Sequence, residues 1–349
     1  MDRTLSLFLA SALMLGLAGC GGDGPAPSAS EAPAVSQAPA ATLPPVSADE
    51  LVSLVPLSAD LTVPRIELPG PYARELNDKL MARYSEYQFL MQEGSSYLYP
   101  EQRGWAVNGE ILSFWDCWLF DGGSQSCVVH NLNVRTGESV ADEEVLRVAG
   151  LEAEAYHDAL KHTLCSLYVG QSSMHEMNSH EYTQSIFNMQ MGKGISEHTV
   201  RQASPFLDDQ GRLMVGVTQY VMAGPDSTRI PVPITPDVPL PGTLTAERDD
   251  QGRLISETYR ENEADQVTVR YTYEEGGVLC QEVMDPSGLL CLFRTNALDQ
   301  LIERYDPQYE SRARYTYHEN GQIKSITDLG PDGSVRYYTE YDQNGNSVS

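Results

Sequence analysis

From residue 248 to the C-terminus, one short unit is written five times. The stretches "RDDQGRLI", "YEEGGVLC", "TNALDQLI", "YHENGQIK" and "YDQNGNSV" begin at 248, 273, 295, 317 and 341, in steps of 25, 22, 22 and 24 residues. Alignment puts Gly252, Gly277, Gly321 and Gly345 in one slot, with Asp299 standing there in the third copy. A second turn falls midway, at Asp285-Pro286-Ser287-Gly288, Asp306-Pro307 and Pro331-Asp332-Gly333. Each copy therefore predicts strand, Gly turn, strand, Pro turn. Such a unit cannot bury a face alone, so copies must stack edge to edge. Five copies are too few to close a shell, and an open, curved β-sheet is expected over 243–349. Tyr271, Tyr273, Tyr315, Tyr317, Tyr337 and Tyr341 suit a pleated surface with cross-strand stacking. They mark a candidate binding platform for a carbohydrate.

These copies resemble the tyrosine-aspartate repeats of Rhs and teneurin-type surface proteins. The resemblance implies a repeat architecture and no particular activity.

The other end of the chain indicates where the protein resides. Leu5 to Ala18 is an apolar run of signal-peptide length, too short to span a bilayer. It ends in Leu17-Ala18-Gly19-Cys20, which resembles the lipobox of bacterial lipoproteins. That resemblance implies cleavage after residue 19 and a diacylglycerol on Cys20. Each buried methylene of a lipid chain contributes about 0.8 kcal/mol, enough in two or three chains to hold a soluble domain at a membrane. Residues 20–48 then alternate Pro with Ala and Ser and contain no Lys, Arg or aromatic residue. A chain of that composition cannot offset its ordering entropy by burial and reads as a stalk. The expected location is the extracytoplasmic side of the cell membrane.

Residues 49–230 read as an α+β domain, followed by a Pro-rich linker over 231–242. Pro71 opens a helix with Ala73, Leu76, Leu80, Tyr84, Tyr87 and Met91 on one face. Strands follow near 96–108, 110–120 and 125–134. A second helix over 151–168 turns Tyr156, Leu160, Thr163, Leu164 and Leu167 inward. Two final strands flank Asp209-Gln210-Gly211. In "ILSFWDCWLFDGGSQSCVVHNL" two strand-like runs flank Asp121-Gly122-Gly123. A three-residue loop would oppose Cys117 and Cys127 and permit a disulfide; a two-residue loop would move the pairing by one and lose it. Cys165, on the second helix, reads as a buried apolar residue.

The element order, with "LTVPRIELPG", "NLNVRTGESVADEEVL" and "PFLDDQGRLMVGVTQYVMA", is similar to a bacterial extracellular domain of unknown function. Relatives of that domain form the outer part of lysozyme-sensing anti-sigma factors and a non-catalytic domain of peptidoglycan deacetylases. The resemblance implies a binding or sensing module of the cell envelope.

Chemistry is sparse by comparison. His175 and His180 in "HEMNSH" are five apart, as are His157 and His162, whereas a zincin helix needs four. "GQSSM" lacks the second glycine of a nucleophile elbow, and no phosphate loop or EF-hand is present. No catalytic residue, metal ligand or cofactor is assigned. With 49 acidic against 23 basic residues the formal charge is -26, which disfavours nucleic acid and suits a basic protein partner. The expected role is non-catalytic binding of a protein or cell-wall glycan. The rivals are a cell-wall carbohydrate or peptide hydrolase, and an inhibitor or immunity protein acting on a basic toxin or lysozyme.

Overall fold

The structure is a computed structural model, which describes residues 47–92, 98–120, 125–172, 180–220, 227–263, 266–343 and 347–348. Cys20, the Asp121-Gly122-Gly123 loop and the His175–Ser179 stretch lie outside the described residues. The chain divides into two compact units, 45–275 with 279–292, and 276–278 with 293–349.

The first unit opens with α1 (Ala48–Leu51) and the hairpin of β1 (Val52–Pro56) and β2 (Thr62–Ile66). Helix α2 (Pro71–Gln92) follows, starting at the proline whose missing N–H costs a first turn nothing. Its buried residues are Ala73, Leu76, Leu80 and Tyr84, spaced three and four apart. They pack against Leu112, Phe114 and Trp118 of β4 (Ile111–Phe120) and Leu132 of β5 (Gln125–Asn133). Together with β3 (Leu98–Asn108), these strands form an antiparallel meander. The expected helix face stops a turn early, because Met91 is exposed while Tyr87 still packs against Trp118.

Four more helices follow, α3 (Asp142–Ala149), α4 (Ala153–Ser172), α5 (His180–Ile195) and α6 (Glu197–Arg201). Within α4, Leu160, Thr163 and Leu164 are buried and Leu167 is half-buried. A second meander comprises β6 (Ser204–Leu207), β7 (Leu213–Tyr220) and β8 (Ser227–Pro233). The Pro-rich stretch 231–242 therefore begins inside a strand, with Pro231 and Pro233 opposite Gly216 and Met214, and lies within the first unit. Its prolines sit on an edge strand, where a missing donor is tolerated.

The repeats form β9 (Thr243–Arg248), β10 (Leu254–Arg260), β11 (Gln266–Tyr273), β12 (Leu279–Asp285), β13 (Gly288–Thr295), β14 (Leu301–Asp306), β15 (Ser311–Tyr317), β16 (Ile323–Leu329) and β17 (Val335–Glu340). They join in sequence order into one nine-stranded sheet. The protein is thus α+β followed by an antiparallel all-β sheet.

The glycine slot works as its spacing implies. Gly252 and Gly321 have φ of 79° and 83°, and Asp299, their stand-in, has φ of 56°. All three turns close with the same pair of backbone bonds: Asp249 N–H to Arg253 O and Gly252 N–H to Asp249 O in the first, with counterparts at Asn296 and His318. The β6–β7 hairpin repeats this turn. Its "DDQGR", 208–212, duplicates 249–253, and Asp208 accepts from the backbone N–H groups of Gln210 and Arg212 as Asp249 does from those of Gln251 and Arg253.

Candidate functional site

Helix α5 lies on the first repeat strands, so close that a Cβ on Gly192 would meet Val283 Cγ1 at 2.2 Å and Val267 Cγ2 at 2.9 Å. That packing covers β11 and β12, and a buried charged cluster joins α4 and α6 to β10 and β11. Lys161 of α4 and Glu257 of β10 are each 2% exposed and in direct contact, Nζ to Oε1. Glu197, at the start of α6, places its Oε1 2.8 Å from the same ammonium. Tyr271 of β11 donates its hydroxyl to Glu257 Oε2 at 2.5 Å. At the rim, His157 Nε2 lies 2.9 Å from Glu197 Oε1, and Arg201 Nε 3.4 Å from Oε2. His157 and Lys161 are one helical turn apart on α4, so one face of that helix supplies both.

Burial alone would raise the Glu197 carboxyl. The hydrogen bond with His157 and the charge of Lys161 overcome it and leave that group well below the usual carboxylate range. Burial pushes the Tyr271 hydroxyl far up, and the Glu257 charge adds to the shift. Cys165, one turn beyond Lys161, is buried, and its thiol is pushed up to about 12 by burial and by Glu257. These are residue types used in proton transfer, held with water excluded.

The tyrosines of the expected platform do not share one environment. Tyr271 and Tyr341 are buried, Tyr315 and Tyr317 are half-buried, and Tyr273 and Tyr337 are 36% and 44% exposed. Tyr271 is removed from any surface role because the α-helices cover its face. Tyr273 and Tyr317 spend their hydroxyls on the carbonyls of Leu254 and Leu301.

The second unit has its own charged surface. Glu303 of β14 is ion-paired with three guanidinium groups, Arg294 Nη1 at 2.8 Å, Arg312 Nη1 at 3.2 Å and Arg314 Nε at 3.4 Å. The Arg312 guanidinium also lies 5.2 Å from the centre of the Tyr305 ring, a cation–π distance. Arg312, Arg314, Tyr305 and Glu310, with the Gly330–Gly333 turn, line a cavity of about 330 Å³. Glu303 thus meets three cations, and Glu310 adds a second carboxylate to the lining of the cavity.

Cys117 and Cys127 face each other in the β4–β5 register, and their sulfurs are bonded. Among the described residues no group of three or more His, Cys, Asp or Glu side chains is arranged to hold a metal ion, and no helix is long and apolar enough to cross a membrane. The charged cluster at Lys161 was not legible in the sequence. Its members come from positions 157 to 271, and the only local hint was a lysine beside Leu160 and Leu164 on an inward helix face. Neither a protein-family model nor a curated protein matches the chain.

Proposed function

We propose that the protein is a lipid-anchored component of the cell envelope, held by Cys20 on the extracytoplasmic side, which binds or senses a partner without turning it over. The observation that carries this reading is where its reactive residue types lie. Lys161, Glu197, Glu257 and Tyr271 are packed against one another under helices and offer nothing to a substrate. The groups that do reach solvent are Tyr273 in the first unit and, in the second, Tyr337, Tyr338, Arg312 and Arg314, of which the two arginines line the cavity of about 330 Å³. The sheet is taken to be open and curved, presenting these side chains to a cell-wall glycan, while a basic protein would be drawn by the chain's overall charge of -26. The resemblance of its sequence to envelope-sensor domains and to tyrosine-aspartate repeats fits the same role.

The test is direct. Mature protein incubated with peptidoglycan, chitin oligomers and casein is expected to leave all three intact. The same protein used as bait against envelope extract and lysozyme is expected to retain a partner whose binding weakens between about 50 and 500 mM salt, as screening of exposed charge requires. Sustained release of soluble fragments, lost on changing one Asp or Glu, would replace this reading with a hydrolase.

A further inference from the structure

The cluster at Lys161 is an unusual way to bury charge. Moving an ammonium and a carboxylate from water into an apolar interior costs several kcal/mol per ion, and their attraction recovers this only with good geometry. Here Lys161 and Glu257 are both 2% exposed, and they come from elements 96 residues apart in sequence. Glu257 has Lys161 and Tyr271 as its partners, whereas Glu197 also has His157 and Arg201 towards the rim. Removing the charge of Lys161 would therefore leave Glu197 paired, and removing that of Glu257 at the same time would leave no buried ion unmatched.

We propose that Lys161 and Glu257 condense to an intramolecular amide, an isopeptide bond that joins α4 to β10, with Glu197 carrying the proton between nitrogen and leaving oxygen. The first event is transfer of one proton along the existing contact, from Nζ to Glu257 Oε1, which turns a buried ion pair into an amine and a carboxylic acid. The lone pair of Nζ then forms a bond to Cδ of Glu257, and the carbonyl electrons move onto Oε2. Tyr271, donating to Oε2 at 2.5 Å, stabilises the negative charge that develops there. Glu197, 2.8 Å from the nitrogen, accepts the surplus proton from it and returns that proton to the Oε1 hydroxyl. The Cδ–Oε1 bond breaks with its electron pair, Oε1 departs as water, and Oε2 becomes the amide carbonyl. One ammonium and one carboxylate give one amide and one water. Glu197 ends as it began, and neither an oxidant nor a cofactor is needed.

The consequence is a covalent clip inside the first unit between its helices and the first repeat hairpin. A protein exposed at the outside of a cell gains from it, since α4 can no longer peel away from β10 during local opening.

Peptide mapping of the purified full-length chain tests the bond. Trypsin is expected to fail after Lys161 and to yield a branched species in which the Lys161 peptide is joined to Leu254–Arg260, lighter than the two peptides by one water. Glu257→Gln is expected to give the identical product with ammonia leaving instead of water. Lys161→Arg is expected to give none, and Glu197→Ala, folded by circular dichroism, is expected to form it roughly a hundredfold more slowly. Complete cleavage after Lys161 with only linear peptides from the wild-type protein would overturn the proposal, whatever the variants do. Undiminished formation in Glu197→Ala would overturn the proton transfer assigned to Glu197.

Discussion

Replacing Gly192 of α5 by alanine separates two effects of opposite sign. Alanine is the better helix former by about 1 kcal/mol, so propensity alone makes Gly192→Ala stabilising. The new Cβ, however, would stand 2.2 Å from Val283 Cγ1 and 2.9 Å from Val267 Cγ2. Ordinary carbon contacts lie near 3.5–4.0 Å, so the helix must retreat from β11 and β12 by more than 1 Å, roughly. Overpacking of this kind costs about 1–3 kcal/mol, and the net expectation is a loss of about 1–2 kcal/mol. Val283→Ala removes the closer obstacle. Alone it should cost about 2 kcal/mol in lost burial and cavity, and combined with Gly192→Ala it should cost less than the sum by about 1 kcal/mol or more. Urea unfolding of the four proteins, followed by tryptophan fluorescence, measures the cycle. Stabilisation by Gly192→Ala, or simple additivity, would mean that α5 does not rest on the repeat strands.

Three further outcomes are expected. Cys20→Ala should move the protein from the membrane pellet to the soluble fraction, and a variant still pelleted after a high-salt wash would refute lipid anchoring. Replacing Cys117 and Cys127 by serine should cost about 2–3 kcal/mol, the loop-closure value for two residues 10 apart; alkylation of both thiols in untreated protein would show that no bridge exists. Burial lowers the His130 imidazole, bonded at 2.9 Å to the Tyr72 hydroxyl, from 6.5 to about 4, with a smaller contribution from Lys79. The folded state thus binds fewer protons than the unfolded one, so this contribution is complete above pH 6.5 and is lost as pH falls towards 4. The full loss is about 3 kcal/mol. An NMR titration of His130 with its midpoint near 6.5 would contradict this.

Much of the fold can be read where the signal is local. The strands of the β3–β5 meander, the α2 face and the repeat turns follow from alternation, from apolar spacing and from a slot requiring positive φ, which even Asp299 obeys. What escaped is what depends on distant partners. Helix α5 has glycines at 192 and 194 where a helix is weakest, and they make sense only once Val283 and the Tyr168 ring are seen to occupy the space a Cβ would take. Strand β8 is hidden by Pro231 and Pro233, residues that composition assigns to a linker and that an edge position accommodates. The burial of Tyr271 has the same origin, since its own strand gives no sign that a helix lies above it.

Two copies of the repeat carry the same string, Arg270-Tyr271-Thr272-Tyr273 and Arg314-Tyr315-Thr316-Tyr317, and part of their geometry is shared. Tyr273 donates to Leu254 O at 3.1 Å and Tyr317 to Leu301 O at 2.7 Å. Three residues beyond those two leucines stand Glu257 in one copy and Arg304 in the other. Glu257 is 2% exposed and faces the Lys161 ammonium, while Arg304 has 32% of its side chain exposed and lies 4.0 Å from Asp306. An arginine at 257 would set two cations against each other in a dry interior and deprive Tyr271 of its acceptor, whereas a glutamate at 304 would face Asp306 at a site that keeps about a third of its side chain in water. Glu257→Arg should therefore cost about 3–5 kcal/mol or prevent folding, and Arg304→Glu about 1 kcal/mol or less, as read by urea midpoint and by recovery of soluble protein. Equal costs at the two slots would mean that helix cover does not distinguish the copies, and the division of one repeat into a buried structural hairpin and an exposed surface one would fail with it.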